Sequence, residues 1–404
     1  MYKPLPLESL VLNQPVPVNI WDPKGVLLLR RGEPITSEQH RGHLMLHTPM
    51  VLAADWKAWS YSYTAALDRM VRSNESLSRI AELDAMVPVQ ARPEARDELA
   101  ATVAWPDIHA ALTTLLHQGA EASQFMERLD RLVARTDKLW REHPDDSLLV
   151  LVQLLFDPGM HYSATHALLS AGLCALVGPS AGMSQTDQQT LSRATLTMNI
   201  GMTRAHDDMA RQAGPLSEPQ RKTVREHPQR SAQALRRLGV ADAAWLQLVE
   251  EHHERPDGQG YPVGKPVNNT DNTAHHLLQM ADVYVASISP RKSRGGLLSQ
   301  QVARELYLGP DLNPDPLGVL FIKNIGLYPP GSYVRLASGE LAVVARRGAK
   351  ANAPTVFAIV GRQGLPLGEP TLRDTTDPAF EVKASLAPGD VKVTVSVARL
   401  LARL

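Results

Sequence analysis

One cysteine in 404 residues, five phenylalanines and no surplus of either charge mark what this chain does without. A lone Cys174 excludes an intramolecular disulfide, so packing must hold the fold, as suits a reducing compartment. Its setting among Ala, Gly and Leu in a run of helical period points to a core position rather than a nucleophile. Basic residues number 42 and acidic residues 42, so the chain has no net field to draw it to DNA, RNA or an anionic membrane. No apolar run reaches the roughly 18 residues that a membrane-spanning helix needs, and the opening Met-Tyr-Lys-Pro-Leu-Pro lacks the layout of a secretory signal. A cytoplasmic protein is expected. Hydrophobic residues at 44% and charged residues at 21% give ample core for two or three domains, and 30 prolines against 26 glycines imply many loops and helix stops.

What the chain does have is a concentrated signal at residues 250–262. Trp245, Leu248, Val249 and His252 fall at i, i+3, i+4 and i+7, which puts His252 on the apolar stripe of a helix. His253 follows, and then Asp257-Gly258-Gln259-Gly260-Tyr261-Pro262 supplies turn chemistry: glycines for positive φ and a proline to fix the exit. Paired imidazoles ending a buried helix beside a rigid glycine loop suit a metal site with a substrate lip; a structural or surface role for the pair is the alternative.

Around this stretch the chain reads as a helical domain between smaller β-rich modules. Residues 1–60 alternate as strands over Val16–Ile20 and Val26–Leu29, with a turn at 22–25 and a helix capped by Thr36 or Ser37 running toward Leu46. His40, His43 and His47 there read as surface residues. Residues 61–145 are expected to be a helical connection broken at Pro88, Pro93 and Pro106, with Phe125, Leu129, Leu132, Val133 and Leu139 on one face of a helix spanning Glu121–Glu142. Residues 146–328 carry the helical domain, and 329–404 return to strands, with a hairpin over Ser332–Ala345 and a closing helix near Val395–Ala402. Ser217 and Gln220 form a capping box, and Pro228 is expected to open a new helix with His227 near its cap. Asp282 borders the stripe Ala274, Leu277, Leu278, Ala281, Val285 and needs a metal, histidine or arginine partner if buried.

The run His252-His253-Glu254, then Asp257-Gly258, then Gly260-Tyr261-Pro262 resembles the signature of HD-GYP domains, bacterial metal-dependent phosphodiesterases of cyclic di-GMP within the HD phosphohydrolases. The resemblance implies a mainly α fold: an HD-type helical core flanked by small β modules. It also implies metal ligands at His166, His227, His252, His253 and Asp282, phosphate contacts at Arg291 and Arg294, and a loop of Asp257, Gly258, Gly260, Tyr261 and Pro262. The family's His-Asp pair and nearby lysine match Met198, Asn199 and Met202 in the frame Leu196–Met202, which puts the catalytic positions in question. The literal dipeptide His206-Asp207 lacks the Ile-Gly context and lies in a polar stretch, so it is not read as the pair. Two-metal phosphodiester hydrolysis needs a carboxylate bridging ions roughly 4 Å apart. A neutral Asn199 bridges poorly, and a soft Met198 is a weak ligand for iron or manganese.

Three readings stay open: a degenerate regulator that binds cyclic di-GMP or a GGDEF-type protein with weak or no hydrolysis; an active phosphodiesterase with a mononuclear or rearranged site recruiting His206, Asp207 or Asp208; and a structural homodimer without metal. The cofactor expected is a single transition metal (Fe, Mn or Zn), or none.

Overall fold

The computed structural model describes residues 2–5, 11–22, 27–46, 49–53, 55–56, 59–60, 63, 70, 100–268, 272–292, 295–308 and 313–404. They fall into two compact units, Met1–Glu98 and Leu99–Leu404.

In the first unit, β1 (Tyr2–Pro4), β2 (Ile20–Trp21), β3 (Leu27–Leu29) and β4 (Met50–Leu52) form an antiparallel sheet in the order β1-β4-β2-β3. The strand expected from Val16 begins only at Ile20. Pro15 and Pro17 have no N–H for a ladder, although Val16 and Val18 are buried in the small core with Ile35 and Val51. Helix α1 (Glu38–Leu46) starts as expected, with Ser37 Oγ accepting the His40 N–H at 3.1 Å. His40 is part-exposed. The side chain of His43, and residues 23–26, 47 and 71–99 with Pro88 and Pro93, lie outside the described residues.

The second unit is mainly α. Its helices α2 (Ala101–Gln118), α3 (Phe125–Glu142), α4 (Pro144–Phe156), α5 (Tyr162–Val177), α6 (Gln185–Thr197), α7 (Thr203–Arg211), α8 (Glu218–Arg237), α9 (Ala243–Glu251), α10 (Thr273–Ile288), α11 (Ser299–Tyr307) and α12 (Pro316–Ile325) enclose one apolar core. Helices on both sides of residue 145 contribute to it, among them Trp105, Leu129, Leu169 and Leu277. Pro106 does not break α2, contrary to expectation. A proline inside a helix costs about 3 kcal/mol, and the fully buried Trp105, Ile108 and Leu112 offset it at about 1.5–3 kcal/mol each.

Helix α5 runs through the middle, apolar or small all round and almost wholly buried. Gly172 admits the Trp140 ring against the α5 backbone: a Cβ there would lie 1.9 Å from Trp140 Cζ2. Cys174 is core, and burial pushes its thiol up to about 12.

At the C-terminal end, β5 (Tyr333–Leu336), β6 (Leu341–Arg346), β7 (Thr355–Val360), β8 (Pro366–Asp374) and β9 (Val382–Leu386) form an antiparallel sheet in the order β8-β7-β6-β5-β9. The expected hairpin pairs Val334 with Ala342, and its turn uses Gly339 at φ 87°. Leu149 of α4 packs among Tyr333, Val343 and Phe357, which ties the sheet to the helices, and α13 (Val397–Leu401) is the closing helix.

Candidate metal centre

Helix α8 runs unbroken from its Ser217–Gln220 capping box to Arg237, so Pro228 lies inside it and does not open a new helix. The reason is His227. Pro228 has no N–H for the Val224 carbonyl four residues back, and His227 Nδ1–H donates to that carbonyl instead, at 2.6 Å. This also settles the tautomer, leaving the lone pair on Nε2. His252, at the C-terminal end of α9, repeats the device: its Nδ1–H donates to Val249 O at 2.7 Å. The two Nε2 atoms then face one another at 3.1 Å, two acceptors with no hydrogen between them. Facing lone pairs repel unless a cation lies between them. Carbonyl-anchored imidazoles of this kind are the usual outer support of a metal ligand.

Burial pushes His227 down to about 3, with His252 adding to the effect. Burial likewise lowers His252, and it takes His253 well below the ordinary imidazole range. All three stay neutral near pH 7, the state a metal requires. Their donor atoms lie within 4.8 Å of one another.

Asp282 joins this group to His166. One carboxylate oxygen accepts from His166 Nε2–H at 2.8 Å, and the other lies 3.9 Å from His253 Nδ1. Burial by itself would raise Asp282, but His166, His253 and His252 outweigh it and hold the carboxyl below the usual range. His166 lies one turn after Tyr162 on α5. A directed chain results: Arg291 Nη2–H donates to Tyr162 Oη at 2.9 Å, Tyr162 O–H donates to His166 Nδ1 at 3.1 Å, and His166 donates to Asp282. Thus His166, His227, His252, His253 and Asp282 come together from α5, α8, the end of α9 and α10.

The glycine loop fits against this cluster through its backbone. At Gly260 a Cβ would meet His253 O at 2.4 Å and Arg255 N at 2.6 Å, so the close approach requires glycine. The Tyr261 ring stacks on His253 at 4.4 Å, and Asp257 holds the turn by accepting the Gln259 N–H at 3.0 Å. Gly258 supplies the positive φ, 68°. The buried Glu254 carboxylate accepts N–H groups of Val263, Gly264 and Lys265. Pro262 is half-buried beside them.

Where the resemblance would put a His-Asp pair, Met198 is fully buried in the apolar core and Asn199 Oδ1 is buried without a hydrogen-bond partner. The following turn, Ile200–Met202, docks on α8: Gly201 N–H donates to Ser231 Oγ at 2.9 Å, and a Cβ on Gly201 would lie 2.6 Å from Ser231 N. Met202 is buried as well.

His206, which lies in a polar stretch of the chain, is buried. Helix α7 turns His206 inward, 4.7 Å from the Tyr162 ring and 5.6 Å from the His166 ring, with Nδ1 buried and unpartnered. Burial and the neighbouring His166 push it well below the ordinary range. Asp207 is buried while Asp208 is exposed. Tyr162 is the member of the cluster's surroundings that sequence reasoning missed, while His206 entered only as a residue that a rearranged site could recruit. Their signals were the i, i+4 step to His166 and the Thr203, His206, Met209 spacing along α7.

A cleft of about 640 Å³ opens beside the cluster, lined by Tyr162, Asp207, Arg211, Arg291 and Lys292 among others. The Arg291 guanidinium lies over the Tyr162 ring at 5.0 Å, and its Nε is buried without a partner. Arg294 lies outside the described residues. The donor set, neutral anchored imidazoles with one ionised carboxylate, fits a zinc-, iron- or manganese-type ion.

Residues 149–306 match the family described as HD domain. The chain is 30% identical over 228 residues to a cyclic di-GMP phosphodiesterase of Pseudomonas aeruginosa, covering 56% of this chain and 52% of that protein. It is 24% identical over 156 residues to 3'3'-cGAMP-specific phosphodiesterase 1 of Vibrio cholerae, covering 39% and 36%. The chain thus spans about half or less of the length of the curated relatives it matches. Among solved structures it is similar to an HDG"Y"P protein from Bdellovibrio bacteriovorus, with a TM-score of 0.45 and 14% identity over 79% of this chain and 97% of that one. Among the described residues, no helix is long and apolar enough to cross a membrane.

Proposed function

We propose that this chain is a degenerate HD-GYP protein of cyclic di-GMP signalling, which binds cyclic di-GMP or a related cyclic dinucleotide, a protein partner, or both, with weak or no hydrolysis. The observation that carries the reading is the state of Met198 and Asn199. The methionine is packed as core, and the amide has no charge with which to bridge two ions. His227, His252, His253 and Asp282, with His166 beside them, would hold a single iron, manganese or zinc ion. Such an ion would supply Lewis-acid polarisation of a phosphate oxygen.

The chain's own residues supply the rest. Arg291 lines the cleft and would offer its guanidinium to a phosphate while Tyr162 accepts from its Nη2. Arg294 is assigned to the same task on the resemblance alone. Tyr261, fixed by Gly258, Gly260 and Pro262, covers His253 and forms the lip of the site. The reading places the protein in the cytoplasm, with a GGDEF-type protein and a second copy of the chain as the protein partners.

Calorimetric titration with cyclic di-GMP tests it. Micromolar binding that Arg291→Ala weakens about tenfold, roughly 1.4 kcal/mol, supports the reading. Absence of binding to both the nucleotide and a GGDEF-type protein would sink it. An active phosphodiesterase with a mononuclear or rearranged site is the second reading, and the observation favouring it is His206, buried beside His166 with a free ring nitrogen. Turnover abolished by His206→Ala would establish that alternative.

A further inference from the structure

The dipeptide His206-Asp207 is divided between two places. While His206 turns inward, Asp207 points the other way, to a second cluster that the proposed function does not use. Its Oδ2 lies 2.7 Å from His117 Nε2 and 3.0 Å from His161 Nδ1, on residues 90 and 46 positions away. Three donor atoms, one from each residue, therefore converge within 4.8 Å. We propose that His117, His161 and Asp207 form a second transition-metal site, of the zinc class, separate from the His227–His252–His253 cluster.

The Asp207 carboxylate is anchored from behind, and the backbone of each histidine is held by a hydrogen bond to its carbonyl. Asp207 Oδ1 accepts the Ser163 N–H at 2.8 Å, which leaves Oδ2 aimed at the two imidazoles. The His161 carbonyl accepts from His109 Nε2–H at 3.1 Å, and the His117 carbonyl accepts from Arg204 Nη2 at 3.2 Å. The Ser163 contact is of the kind that orients a carboxylate ligand before an ion arrives, and the two carbonyl contacts fix the main chain that carries the imidazoles. Asp207 is 2% exposed, whereas the His117 and His161 side chains are 25% and 41% exposed, so solvent reaches the imidazoles and the carboxylate forms the floor. A divalent ion uses the same three atoms and replaces both protons. Two imidazoles and a carboxylate with an open side make a three-ligand set that zinc accepts, with a fourth position free. Asp207 also lines the cleft with Arg211, Arg291 and Lys292, so an ion held here shares a wall with that cationic cleft.

The test uses full-length, metal-stripped protein titrated with Co²⁺, whose visible absorption reports tetrahedral nitrogen and oxygen ligation, followed by displacement with Zn²⁺. In a His252→Ala, His253→Ala background one Co²⁺ per chain is expected to remain. Adding His117→Gln and His161→Gln should weaken that binding at least tenfold. A folded His252→Ala, His253→Ala protein that binds no Co²⁺, or binding unchanged by the added glutamines, would overturn the proposal. If that background unfolds, the comparison moves to the otherwise unaltered chain, where the two glutamines must lower the zinc count by one. An unchanged count overturns the proposal there too. Because the readout is a difference at two half-exposed residues, it stands whether or not the His227 cluster holds a metal.

Discussion

Replacing Glu254 by alanine should loosen the glycine loop without touching any assigned ligand. The Glu254 carboxylate is 1% exposed and accepts N–H groups from Val263 at 2.7 Å and from Gly264 and Lys265 at 3.0 Å each. A hydrogen bond to a charged group contributes about 1.5–3 kcal/mol net. The three do not add in full, because Val263 is 71% exposed and water can reach that side of the loop once the carboxylate is gone. The expected loss is about 3 kcal/mol, close to two such bonds, which corresponds to a melting temperature lower by about 5 °C in the unit Leu99–Leu404. Glu254→Gln keeps the shape and one acceptor oxygen and should lose about half as much. Thermal unfolding followed by circular dichroism at pH 7.5 compares the three proteins. Since Tyr261 N–H donates to His253 O at 3.1 Å and the rings stack, the alanine variant should also bind Zn²⁺ more weakly. If Glu254→Ala melts within about 1 °C of the parent, the carboxylate is not what holds this loop.

Three further outcomes follow from the packing. Gly201→Ala puts a Cβ 2.6 Å from Ser231 N and should destabilise by about 1–3 kcal/mol in urea denaturation while pushing the Asn199–Met202 turn off α8. Stability should fall as the pH is lowered, because His227 has a folded value of about 3 against 6.5 unfolded, so below about pH 6.5 the unfolded chain takes up a proton that the folded chain does not. The slope from this residue approaches about 1.4 kcal/mol per pH unit between 6.5 and 3 and vanishes above; urea curves with a chelator at pH 7.5, 6.0 and 5.0 measure it, and an identical slope in His227→Gln would contradict it. Met198→His with Asn199→Asp should lower the melting temperature, since Met198 fills core space, and should raise metal-dependent turnover of cyclic di-GMP, measured by chromatography of the products.

Local signals made much of this legible. The stripe through Trp245, Val249 and His252 is buried as its period implied, and Trp245 Nε1–H even donates to Thr197 Oγ1 at 2.9 Å, tying α9 to the helix before Met198. The Ser217–Gln220 box, the hairpin at Gly339 and the core setting of Cys174 were equally local. What sequence misjudged was long-range. Pro228 reads as a helix start until His227 is seen replacing the missing N–H, and Pro106 reads as a break until the burial around it is known. His206 and Asp207 sit in a polar stretch with Arg204, Asp208 and Arg211, which gives no sign of where either side chain points. Only the packing of α7 against α5 shows that one side chain faces His166 and the other faces His117 and His161. The sense of the Arg291–Tyr162–His166–Asp282 chain spans 129 residues and leaves no periodic trace.

A single-turnover incubation tests the central claim most directly: iron- or manganese-loaded protein in excess over cyclic di-GMP, quenched over an hour and separated by chromatography. The account predicts that the nucleotide is recovered cyclic, whether free or bound. Conversion to the linear dinucleotide in the parent, lost in His252→Ala with His253→Ala, would contradict it and show that the cluster hydrolyses phosphodiesters without the His-Asp pair.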